Sequence, residues 1–150
     1  MEKEKIITHL PYQEPFLFVE EILSIDEQSV EGCYTFKKDA YFYRGHFKDH
    51  PVTPGVILTE TMAQIGLVCL GIYLGASTHS DGASQIALTA QQVDFFIPVY
   101  PGERVVVKAE KIYYRFQKLK CKVRMYNASN ALVCAGEIAG MISTTKHKLP

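Results

Sequence analysis

The 150-residue chain has no tryptophan, and its four cysteines, Cys33, Cys69, Cys121 and Cys134, lie so far apart that no C-x-x-C pair exists. That spacing gives no basis for a zinc ribbon or a dithiol redox site. It leaves three of the thiols in apolar or strand-like stretches, where they act as small hydrophobes. Neither sign of charge is in surplus: 16 Lys and Arg face 16 Asp and Glu, which points away from nucleic acid or an anionic membrane surface as partner. There is no G-x-S-x-G elbow, no H-E-x-x-H zinc motif and no glycine-rich phosphate loop. Neither metal nor cofactor is therefore expected. The longest apolar run, 65–74, is too short for a membrane span. The start Met1-Glu2-Lys3-Glu4-Lys5 has no secretory pattern, so the cytoplasm is the expected setting.

What is present suits an ordinary globular domain. A hydrophobic share of 47% against 21% charged residues is enough apolar surface to build a core and argues against disorder. No repeat, low-complexity segment or linker divides the chain, so one domain over 1–150 is expected. Residues 10–15 form a turn-rich lead-in. Strands are expected at 16–25 and 30–36, and 41–54 holds too many breakers for regular structure. Residues 55–74 carry one long helix, with Pro54 before it and Gly75 as its C′ residue. Its apolar residues, from Val56 and Ile57 to Leu74, point in every direction, which requires burial on every side. After a polar loop at 76–84, strands are expected at 85–97, 104–114, 118–127 and 131–143. Cys121-Lys122-Val123-Arg124-Met125 alternates as a strand with one wet face should, and Asn127-Ala128-Ser129-Asn130 is a hairpin turn. The order predicts an α+β fold in which a curved antiparallel sheet wraps one long buried helix.

The chemistry concentrates in Gly45 to Gln64. His46 sits in a Gly/Pro-punctuated loop, and Pro54-Gly55 opens the helix that carries Glu60 and Gln64 four residues apart on one face. A carboxylate in so apolar a helix is costly unless protonated, paired or functional. Spacing alone leaves a second explanation open, a polar helix face that only meets solvent or another subunit. His50 is an alternative base by composition.

The segment resembles the signature of the FabZ-type 3-hydroxyacyl-acyl-carrier-protein dehydratases, G-H-F-P, then P, then P-G-V, then E-x-x-A-Q. Here it runs Gly45-His46-Phe47, Pro51, Pro54-Gly55-Val56 and Glu60-Thr61-Met62-Ala63-Gln64. Phe95-Phe96-Ile97-Pro98-Val99-Tyr100-Pro101-Gly102-Glu103 is similar to the family's F-x-x-P-x-x-P-G-D/E. Leu10-Pro11-Tyr12 with Pro15-Phe16-Leu17 is similar to its L-P-H-R-x-P-F-L. Two positions depart: Lys48 and Asp49 replace the proline and glycine of the family's loop, which bears on substrate or partner choice more than on chemistry.

The resemblance implies the hotdog fold and elimination of water from a (3R)-3-hydroxyacyl thioester on acyl carrier protein, giving the trans-2-enoyl thioester. The setting would be fatty-acid synthesis or a related aryl-polyene, pigment or polyketide-like route. It implies His46 as the base at C2; the Gly55 N–H at the helix start is placed to donate to the enolate oxygen, and Glu60 would deliver a proton to the leaving hydroxyl or hold the water that forms. Gln64 would orient Glu60. Phe47, Val56, Ile57, Met62, Phe95 and Phe96 are candidate walls for the acyl chain, with plain core as the alternative for each. It also implies a homodimer with shared sites, in some relatives a trimer of dimers. Acidic carrier protein would dock on Lys37, Lys38, Arg44 and Lys48, with an ordinary solvated surface as the equal alternative. A hotdog thioesterase and a non-catalytic acyl-thioester-binding module are the rival functions.

Overall fold

The computed structural model describes residues 1–76 and 84–144. A short helix α1 (Lys3–Thr8) leads into β1 (Glu21–Ile25) and β2 (Ser29–Thr35). A 3-10 turn (Tyr41–Arg44) and the His46 loop follow. Next comes a continuous helical rod made of α2 (Gly55–Met62), a π-helical stretch (Ala63–Val68) and α3 (Cys69–Ala76). Strands β3 (Ser84–Phe95), β4 (Arg104–Arg115), β5 (Lys118–Asn127) and β6 (Leu132–Thr144) complete it. Six strands form one antiparallel sheet in the order β1-β2-β4-β5-β6-β3.

The sheet wraps the rod because its strands alternate and because register shifts bend them. Val105, Val107 and Ala109 of β4 and Leu119, Cys121, Val123 and Met125 of β5 point inward and are buried, while their neighbours face water. Register shifts interrupt the β1–β2, β3–β6, β4–β5 and β5–β6 pairings, the kind of extra residue that adds twist and curl to a strand. The π-helical stretch touches β2, β4, β5 and β6, so the middle of the rod is the centre of the core. Gly66 permits this closeness: a Cβ there would lie 2.9 Å from the Ala109 Cβ and 3.0 Å from Val123 Cγ1. All four cysteines are free and buried.

The expected helix, sheet and hairpins are present, with four differences. The helix extends through Ala76, so Gly75 lies inside it, and its interior loosens to π geometry. Val56 is 76% exposed, so the rod is not buried on every side within one chain. The first strand begins at Glu21 rather than residue 16, because the backbone of Phe16 and Phe18 bonds to the Gln64 side chain instead of a neighbouring strand. Helix α1 was not expected; it forms where Ile6 and Leu10 can be buried against the core. Of the expected polar loop 76–84, residues 77–83 lie outside the described residues. The hairpin turn is built as expected, with Asn127 Oδ1 accepting the N–H groups of Ser129 and Ala131, each at 3.0 Å.

Candidate active site

The His46 loop is held by its own peptide groups. Val52 N–H donates to the His46 carbonyl at 2.8 Å, and Phe47 and His50 exchange backbone bonds at 3.1 and 3.0 Å. Thr53 fixes the loop to the sheet side through its N–H on Val99 O at 2.8 Å and its hydroxyl on Tyr43 Oη at 2.6 Å. Within that frame His46 Nδ1 lies 3.0 Å from Val52 O. A carbonyl only accepts, so Nδ1 carries a proton, and in the neutral ring Nε2 is then the nitrogen with the lone pair. The Phe47 ring stacks on the imidazole at 4.2 Å between centroids.

The helix start lies across from this imidazole. Ile57 and Leu58 N–H both donate to Pro54 O, at 2.9 and 3.1 Å. Gly55 and Val56, as the first helical residues, have no carbonyl one turn upstream within the helix, and their N–H groups carry its positive end. His46, Gly55, Leu58, Phe95, Phe96 and Pro98 line one cleft of about 350 Å³. A Cβ on Gly55 would lie 3.2 Å from the Phe95 ring, so the ring packs against the bare backbone at this point. A second hollow of about 560 Å³ lies beyond Gly55 and Phe95, lined by Val56, Thr59 and the β3 residues Gln91 to Val93.

Glu60 and Gln64 lie deeper along the rod and do not line the His46 cleft of their own chain. Gln64 is fully buried, and both polar atoms of its amide are bonded. Its Oε1 accepts the Phe18 N–H at 2.8 Å, and its Nε2 donates to Phe16 O at 3.1 Å and to Glu60 Oε2 at 3.0 Å. Burial pushes the Glu60 carboxyl above its ordinary range, partly offset by the Gln64 bond.

One chain thus brings together His46, Gly55, Phe95 and Phe96, and separately Glu60 with Gln64. Phe47 stays beside the imidazole and Val56 lines the neighbouring hollow. Ile57 and Met62, expected as walls, line neither space: both are buried, and Met62 Sδ accepts the Cys134 thiol at 3.7 Å. Their place on the rod turns them toward the core. His50 lies edge-on to Tyr100 rather than in the cleft, and the loop between His46 and His50 is a turn. Tyr43 and Thr53, which hold the His46 loop, escaped sequence reasoning because nothing in their spacing marks them as a pair.

An antiparallel sheet around one helix, with an imidazole opposite the helix start, defines a hotdog-fold protein. The FabA-like domain family matches residues 10–140. The FabZ 3-hydroxyacyl-[acyl-carrier-protein] dehydratase of Acinetobacter baylyi is 30% identical over 145 residues, 97% of this chain and 90% of that protein. A FabZ enzyme of Thermus thermophilus is 30% identical over 124 residues, 83% of this chain and 85% of that protein. Among solved structures, the dehydratase heterocomplex ApeI:P from Xenorhabdus doucetiae superposes with a TM-score of 0.79 at 13% identity, over 94% of this chain and 92% of that one. A hypothetical thioesterase from Streptococcus pneumoniae TIGR4, with coenzyme A, gives 0.62 at 13% identity over 83% and 85%. At such identities the two structures speak for the fold alone. The chain belongs to the FabA-like family, and it is a dehydratase of the FabZ type.

Proposed function

We propose that the chain removes water from a (3R)-3-hydroxyacyl thioester carried on acyl carrier protein and releases the trans-2-enoyl thioester. The observation that supports this is the contact of His46 Nδ1 with Val52 O on a residue that lines the cleft: with Nδ1 donating to the carbonyl, Nε2 of the neutral ring serves as the base. Nε2 takes the C2 proton. The charge that develops on the thioester oxygen is met by the Gly55 N–H at the positive end of α2. The C3–O bond breaks, Glu60 gives its proton to the departing hydroxyl, and water leaves as the C2–C3 double bond forms. Burial favours the protonated Glu60 this step needs.

The acid is supplied by a second copy. Glu60 is absent from the His46 cleft of its own chain, β3 is a 12-residue edge strand, and its Phe95 and the nearby Val56 are exposed. Pairing β3 with β3 of a partner covers this edge and brings the partner's helix to the hollow lined by Val56 and Gln91. The acyl chain runs past Phe95 and Phe96. Acidic carrier protein meets Lys38 and Arg44, which flank a groove with Tyr41 and Pro51; Lys37 is taken by Glu14 at 2.9 Å. Free buried thiols suit a cytoplasmic setting, and fatty-acid synthesis or a related acyl route is the context.

The test is a hydration–dehydration assay on carrier-linked 3-hydroxyacyl thioesters, with His46→Ala and Glu60→Gln alongside. Both variants are expected to lose activity by about 10²-fold or more while remaining folded. Thiol release without enoyl product would assign a thioesterase instead, and binding without turnover a carrier module.

A further inference from the structure

The peptide between Val52 and Thr53 is held from several sides. Its carbonyl accepts from His46 Nδ1 at 3.0 Å, and its N–H donates to Val99 O at 2.8 Å. The peptide is trans, so these two groups point in opposite directions from one rigid plane. Anchoring the N–H on the buried Val99 therefore aims the carbonyl at the imidazole. Two residues after Thr53, Gly55 opens α2. Pro54 stands between them at φ −58° and ψ 141°, and its ring locks φ, so a turn of the Thr53 backbone passes into the helix start with little slack. The remaining anchor is a side chain. Thr53 Oγ1 and Tyr43 Oη lie 2.6 Å apart, and the two residues are only 4% and 5% exposed. Tyr43 belongs to the 3-10 turn Tyr41–Arg44 that leads into Gly45-His46, so this bond closes residues 43–53 into a ring that contains the imidazole. Thr53 lines the His46 cleft, while Tyr43 lines the groove with Lys38 and Arg44. Two apolar side chains of the same shape would pack the loop about as firmly as a buried hydroxyl pair. What the pair adds is a fixed direction for the peptide beside it.

We propose that Tyr43 and Thr53 are positioning residues for the elimination. Their hydroxyl bond fixes the Val52–Thr53 peptide, so that its carbonyl holds the His46 ring in place and the Gly55 N–H keeps its position at the cleft. The inference rests on the dehydratase reading of the site. Neither side chain touches the reacting atoms or exchanges a proton with them; both act through the peptide and through Pro54. Without the bond the peptide is free to tilt about its Val99 anchor. A displacement of about 1 Å at the reacting atoms is enough to cost on the order of 10²-fold in rate.

Tyr43→Phe and Thr53→Val each remove one hydroxyl and leave the other buried without its partner, so each should lower both the melting temperature and kcat. The double variant separates the two effects. It has no orphan hydroxyl and should melt near the wild type. Its kcat on a carrier-linked 3-hydroxyacyl thioester, read well below the melting temperature, should stay down by about 10-fold or more, with KM changed less than about twofold. Thr53→Ser keeps the hydroxyl and should hold kcat within about threefold of the wild type. A double variant whose kcat recovers together with its stability overturns the proposal, because the pair then serves the fold alone. So does a rise in KM without a fall in kcat, which would place the effect in the groove that Tyr43 lines. A Thr53→Ser enzyme as slow as Thr53→Val also overturns it, since the hydroxyl would then be irrelevant. Absence of dehydration by the wild-type protein would instead overturn the parent assignment.

Discussion

Glu60 links the chemistry to the stability of single residues. Its folded-state carboxyl titrates above the ordinary 4.5 because burial disfavours the charged form. The folded state then holds this proton more tightly than the unfolded chain does. Its contribution is fully favourable below the unfolded value and is lost as pH rises through the raised one. Glu60→Gln removes that loss. The variant should melt above the wild type at neutral pH, with the gap closing as pH is lowered toward the ordinary carboxylate value. Thermal unfolding across that range checks it, and a gap independent of pH would refute the stated cause. Gly55 makes a different demand. A Cβ there meets the Phe95 ring at 3.2 Å, so Gly55→Ala must shift the ring that walls the cleft. Alanine is the better helix former, so stability should hold while kcat/KM falls by about tenfold or more. Steady-state kinetics beside a melting curve would show it.

At the level of elements, the rod and the sheet approach each other through missing side chains. Gly66→Ala places a methyl group 2.9 Å from the Ala109 Cβ, which forces helix and sheet apart. The expected cost is about 1–3 kcal/mol from overpacking, outweighing the gain in helix propensity. Urea denaturation would measure it, and adding Ala109→Gly should return part of the loss because the two positions share one contact. Gly136 on β6 is tighter still, since a Cβ there would run into the backbone of Gln92 on β3. Strand β3 carries Phe95, so any residue but glycine at 136 disturbs a wall of the cleft from the far side of a strand pair.

At the scale of the whole molecule, the two groups of the proposed site lie apart. One chain presents His46 and Gly55 to a cleft, and holds Glu60 in a separate clamp with Gln64. If two copies complete each other, inactive His46→Ala and Glu60→Ala subunits should regain part of the activity when co-refolded, because a mixed dimer holds one site with both residues intact. Verified heterodimers with no activity would refute shared sites.

Much of this was legible in the chain itself. Two-residue alternation in β4 and β5, the long apolar stretch after Pro54-Gly55, and the Asn127 turn are local patterns, and local patterns fix local structure. The motif from Gly45 to Gln64 marked His46, Gly55 and Glu60 as the proposed site residues for a related reason: a loop and the helix it feeds lie close in sequence. Tertiary packing decided the rest. Whether an apolar helix residue faces core or cleft depends on what covers it, so Met62 went to Cys134 and Val56 to solvent. The imidazole's tautomer depends on a carbonyl six residues away, folded back upon it. The clamp of Gln64 on Phe16 and Phe18 joins groups more than 40 residues apart, a contact no periodicity announces, because it exists only once the chain has closed over its own helix.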